Sequence, residues 1–205
     1  MYDSLIQNFD NLSFEHWLDF IFDEKWSSSK YEDFIDLSDL EADIEIFVRN
    51  CIKLFENPGF VSDKYSAKQL EGGLFYFILS PKVELNWWIW DKNNSPDLRR
   101  KFIFSSVNMF EHVFATNPLE HSCFMWWDCL RDFSEEKDLK VVDWMFETLS
   151  KILEIDSFVC QMSALHGLGH IGHSGKKDLI ENFLLKHSDF ADKDYALSAI
   201  DGNIL

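Results

Sequence analysis

The sequence predicts an all-α fold, and three observations carry that prediction. Apolar residues recur at helical spacing along the whole chain. Breakers are scarce, with 8 Gly and 4 Pro among 205 residues. No alternating apolar–polar stretch longer than five residues interrupts the pattern. With 46% hydrophobic and 16% aromatic residues, the chain can bury a large core, so order is expected despite a net charge of −17. No stretch rich in Gly, Ser or Pro divides it, so residues 1–205 read as one domain.

Each element follows from its periodicity and its ends. Phe14, Trp17, Leu18, Ile21 and Phe22 form the first apolar stripe behind Ser13, a candidate N-cap. Leu40, Ile44, Phe47, Val48, Cys51, Ile52 and Phe55 form a second. It opens at a capping-box pattern, Ser38-Asp39-Leu40-Glu41, and stops at Asn57-Pro58-Gly59. A third helix is expected over roughly 63–79, from Leu70, Leu74, Phe77 and Ile78. Residues 83–91 are ambiguous, and Asp91 to Asn94 reads as a turn. Ser95-Pro96-Asp97 begins another helix with proline at its first position, and Asn117-Pro118 ends it. Stripes through Leu119–Leu130 and Leu139–Leu153 follow; Trp126 falls in the core and Trp127 at its flank. The last three helices are expected at about 157–172, 177–187 and 192–201. The total is eight to ten helices.

An internal repeat lies at the C-terminal end. Ser163-Ala164-Leu165-His166-Gly167 recurs as Ser198-Ala199-Ile200-Asp201-Gly202, 35 residues on. A period of that length signals stacked helical hairpins. The segment from Ser163 to Gly172, then Asp178 to Leu185 and Tyr195 to Ile200, resembles HEAT-like repeats over the last 45 residues or so. The resemblance implies a HEAT/armadillo-like α-solenoid: acidic N-terminal helices over residues 1–60 and stacked hairpins over 61–205. It implies a curved scaffold for macromolecules and no fixed chemistry.

Charge narrows the function classes. Residues 1–50 carry 13 acidic and 3 basic side chains. The densest stretch, Glu32, Asp33, Asp36, Asp39, Glu41, Asp43 and Glu45, contains no base. Such a chain cannot neutralise phosphates, so direct nucleic-acid binding and attraction to anionic membranes are excluded. The acids read either as helix N-termini and a solvated face, or as a surface that steers a basic partner. No signal peptide or apolar run of membrane-spanning length is visible, and a cytoplasmic location is expected. Cys51, Cys123, Cys129 and Cys160 sit in apolar helical patterns and read as free thiols.

The residues that tempt a chemical reading are His166, His170 and His173, at i, i+4 and i+7 of one helix. That spacing lets imidazoles share a metal. No glutamate lies between them, however, and three glycines weaken the helix that would hold them. A packing seam near a helix C-terminus is the expectation, with no metal and no cofactor. Glu111-His112 and Glu120-His121 lack a nucleophile. Asp91, Asn93 and Ser95 start like a calcium loop, but Pro96 replaces its glycine. No phosphate loop, nucleophile elbow or dinucleotide fingerprint is present, so an enzyme is not expected.

Trp87, Trp88 and Trp90, followed by Asp91, offer aromatic anchors beside an acid, a pairing suited to a basic protein. They serve equally as core. Neighbouring Trp87 and Trp88 cannot share one narrow face. The acidic, helical, motif-free character resembles, by type, immunity proteins of contact-dependent growth inhibition and related polymorphic toxin systems. That resemblance implies neutralisation of a cognate, basic toxin through Glu32 to Glu45, Trp87, Trp88 and Asp91. A HEAT-like adaptor for another cellular protein and a metal-dependent enzyme at the histidines are the alternatives.

Overall fold

Side-chain caps set where many of the helices begin. The computed structural model describes residues 9–28, 40–117, 119–132 and 137–204. Among these it contains eleven α-helices and no strand. They are α1 (Phe14–Ile21), α2 (Ile44–Glu56), α3 (Val61–Lys64), α4 (Ala67–Gly73), α5 (Leu85–Trp90), α6 (Pro96–Met109), α7 (Glu120–Leu130), α8 (Leu139–Leu153), α9 (Phe158–His170), α10 (Lys176–Lys186) and α11 (Lys193–Asp201). Single wide π-helical turns, Leu74–Ile78 and Phe110–Phe114, prolong α4 and α6. Ser13, Asp43, Ser66, Ser95, Asp138 and Asp192 each accept a first-turn amide, satisfying donors that have no partner within the helix.

Three sequence expectations change at helix starts. The helix expected over 63–79 breaks at Tyr65, because Ser66 and Gln69 form a capping box that starts α4 afresh. The second helix starts at Ile44, since Glu41 adopts φ 49° and Asp43 caps the first turn. The ambiguous stretch forms α5, entered through Glu84 at φ 59°. Helices as short as α3 and α5 carry too little periodicity to count, which is why eleven are found where eight to ten were expected. Ser38 and Asp39 of the supposed capping box lie outside the described residues.

The core is dense in rings. Phe55, Phe102, Phe110, Phe114 and Trp126 pack edge-on or tilted at centroid separations of 5.0 to 5.8 Å. Trp127, expected at a flank, is buried and stacks on Phe110. Helix α9 lies against α7, α8 and α11. Gly167 allows this: a Cβ there would fall 2.6 Å from Leu149 of α8 and 2.7 Å from Trp127 of α7. The Ser163 hydroxyl donates to the Cys123 carbonyl at 2.5 Å, binding α9 to α7. All four cysteines are free thiols, and only Cys129 is not fully buried. Among the described residues no helix is long and apolar enough to cross a membrane.

Candidate functional site

Among the described residues, two places gather side chains that the sequence marks as candidates. The first is built on α5. Leu85, Trp88 and Ile89 face inward, which turns Trp87 out with 54% of its surface exposed. The C-terminal carbonyls of this short helix are secured from elsewhere. Asn94 donates to the Trp88 carbonyl at 2.8 Å, and Arg99 donates to that of Ile89 at 3.1 Å. The indole of Trp90 donates to the Leu130 carbonyl at the end of α7.

Trp87 borders an open cleft of about 790 Å³. Its walls combine Trp87, Trp88, Glu84 and Asp91 with Ala42 and Ile44, and Lys82 adds a single positive charge. The tail of the acid-rich segment and the tryptophan segment therefore meet at one surface. Asp43 is committed to capping α2, and its own amide donates to both carboxylate oxygens of Asp10. Glu45 pairs with Arg49 at 2.6 Å. Glu41, Glu84 and Asp91 are exposed. Glu32, Asp33, Asp36 and Asp39 lie outside the described residues.

The second place lies where α7, α9 and α11 meet. His166 and His170 project from successive turns of α9 towards Asp128 on α7. His166 Nε2 is 2.9 Å from Asp128 Oδ2, and His170 Nε2 is 2.8 Å from Oδ1. The two Nε2 atoms are 3.0 Å apart. On its other side, His166 Nδ1 meets the Tyr195 hydroxyl of α11 at 2.5 Å, and Phe124 packs on the imidazole. His166 is fully buried, whereas Asp128 and His170 keep an edge to solvent. Arg131 approaches Asp128 Oδ1 at 3.6 Å.

The electrostatics follow from this packing. Burial alone would raise the Asp128 carboxyl, but hydrogen bonds and charge from His166 and His170 outweigh it and hold the group well below the usual carboxylate range. Burial pushes the Tyr195 phenol up to about 12, helped by Asp128 and Asp192, so the hydroxyl stays protonated.

His173 does not join the other two histidines. Helix α9 ends at His170, and Ile171 is extended, so the i+7 position is carried off the helical face. His173 instead stacks on Phe146 at 3.8 Å and accepts the Gly175 amide. Asp128, 38 residues before His166, takes the third place. Sequence reasoning missed it because nothing local marks an aspartate whose partners lie on another helix. The chain matches no protein-family profile, no curated protein and no solved structure.

Proposed function

We propose that this protein acts by binding a basic protein partner at the Trp87 cleft, as an immunity protein does when it neutralises a cognate toxin. The observation that carries the reading is the meeting, in one open cleft, of exposed Trp87 and the acids Glu84 and Asp91 with Ala42 and Ile44 from the tail of the acid-rich segment. Aromatic anchors inside an acidic rim suit a basic face: the charge speeds encounter and the ring secures the complex. The HEAT-like reading belongs here too. The Ser163 pentapeptide lies inside α9 and the Ser198 pentapeptide closes α11, with Gly202 as its left-handed cap; α9 and α11 are the second helices of the pairs α8–α9 and α10–α11. Their shared placement on second helices supports two stacked hairpins presenting the scaffold.

Co-expression with the product of the adjacent open reading frame, scored for rescue of growth, tests the proposal. Wild-type chain should rescue, and Trp87→Ala should weaken the complex at least about tenfold, as expected for an exposed aromatic anchor. Association should slow steeply with salt while the Glu84→Gln/Asp91→Asn variant loses that dependence. Rescue unaffected by Trp87→Ala and by both acid substitutions would remove the cleft from the mechanism.

A further inference from the structure

We infer that Asp128, His166 and His170 form a binding site for one divalent transition cation of the zinc class. The inference goes beyond the partner-binding reading and does not depend on it.

Three contacts close on one another: His166 Nε2 to Asp128 Oδ2 at 2.9 Å, His170 Nε2 to Asp128 Oδ1 at 2.8 Å, and the two Nε2 atoms to each other at 3.0 Å. If both Nε2 atoms carry hydrogen, each donates to one carboxylate oxygen, and two N–H groups then confront each other across 3.0 Å. If only one carries hydrogen, at least one remaining edge sets lone pair against lone pair. No distribution of ring protons satisfies all three contacts. A cation that accepts lone pairs from both imidazoles and the carboxylate does.

Geometry and donor type agree with this reading. With bonds of about 2.05 Å, neighbouring ligands stand about 2.9 Å apart in octahedral coordination and about 3.3 Å apart in tetrahedral coordination. The Nε2–Nε2 edge of 3.0 Å falls close to the first value, and one ligand atom from each of the three residues lies within 4.8 Å of the other two, so small shifts of the rings complete either shell. Two imidazoles and one carboxylate suit zinc and its transition-metal neighbours, whereas calcium and magnesium prefer all-oxygen shells. His166 also has the outer support that ligating histidines use. With Nε2 on a metal, its Nδ1–H donates to the Tyr195 oxygen, and Phe124 fixes the ring plane. Gly167 places the whole set, because close approach of α9 to Trp127 brings the adjacent Asp128 up to the histidines. Arg131, whose side chain is 43% exposed, can withdraw into water when the cation enters.

The test uses the full chain, stripped with chelator, reloaded with Zn²⁺ in the presence of excess Mg²⁺ and Ca²⁺, dialysed, and analysed for metal. About one equivalent should be retained, as for a site with three protein ligands. Melting temperature should rise with added Zn²⁺. Asp128→Asn and His170→Gln, both at partly exposed positions, should each lose the retained metal and the thermal shift. Tyr195→Phe should weaken binding about 10- to 100-fold. His173→Ala should bind as wild type. Co²⁺ substitution gives a visible spectrum that should be altered by Tyr195→Phe and unaffected by His173→Ala. Circular dichroism of the metal-free variants establishes that each is folded. The inference is overturned if the wild-type chain retains no metal. It is equally overturned if folded Asp128→Asn and His170→Gln chains retain metal, or if His173→Ala abolishes retention.

Discussion

Replacing Arg99 by methionine should destabilise the protein by about 3–5 kcal/mol, the cost of leaving a buried charge without its partner. Arg99 Nη1 lies 2.9 Å from Asp138 Oδ2, and the two side chains are 3% and 10% exposed. Methionine matches the length of the apolar stem, so the loss is concentrated at the carboxylate. A further contribution of about 1 kcal/mol comes from the Ile89 carbonyl at the end of α5, which loses the Arg99 donor. With a urea slope of about 2 kcal/mol per molar, the combined loss of about 4–6 kcal/mol should lower the unfolding midpoint by roughly 2–3 M. The decisive variant is the double substitution Arg99→Met/Asp138→Asn. Asparagine caps a helix about as well as aspartate, so the Lys140 amide of α8 keeps its acceptor while the charge disappears. The double variant should therefore be more stable than Arg99→Met alone. If it is not, the penalty does not come from an unpaired buried carboxylate and the reasoning fails.

Two further outcomes follow from the packing. Burial pushes the Glu71 carboxyl up against the opposing hydrogen bonds of Ser122, and its Oε2 has no hydrogen-bond partner among the described residues. A raised folded-state pKa means that this group's favourable contribution is present below the unfolded value, about 4.3, and is lost as pH rises through the folded one. Glu71→Gln should thus be more stable than wild type at neutral pH, with the gap closing towards about pH 4; a pH-independent gap in thermal melts would contradict this. Gly167→Ala should cost about 1–3 kcal/mol through overpacking against Leu149 and Trp127. The gain of about 1 kcal/mol in helix propensity opposes it. A chemical denaturation midpoint above that of wild type would show that these helices can separate without penalty.

Much of the secondary structure was legible in the chain. The stripes and caps at Ser13 and Ser95 announced their helices, because side chains three and four residues apart share a face and first-turn amides need nearby acceptors. The last three helices, observed at 158–170, 176–186 and 193–201, lie close to their expected bounds. The break at Tyr65 was hidden because α3 is a four-residue turn, too short to show a stripe of its own ahead of the Ser66 cap. The burial of Trp127 was hidden for another reason. A residue at the edge of one helix's stripe becomes core only when a second helix, here α9 at Gly167, closes over it.

The sequence by itself determined that this protein is all-α, strongly acidic at its N-terminal end, and able to set His166 and His170 on one face of a helix. Those properties depend on composition and on spacing within a single element. Only the tertiary structure decided that Asp128, rather than His173, stands with those histidines, that Arg99 meets Asp138, and that Ala42 and Ile44 share a cleft with Trp87. Each of these pairings joins residues from different segments of the chain. Their distances are set by how closely the helices pack, and no local periodicity encodes that separation.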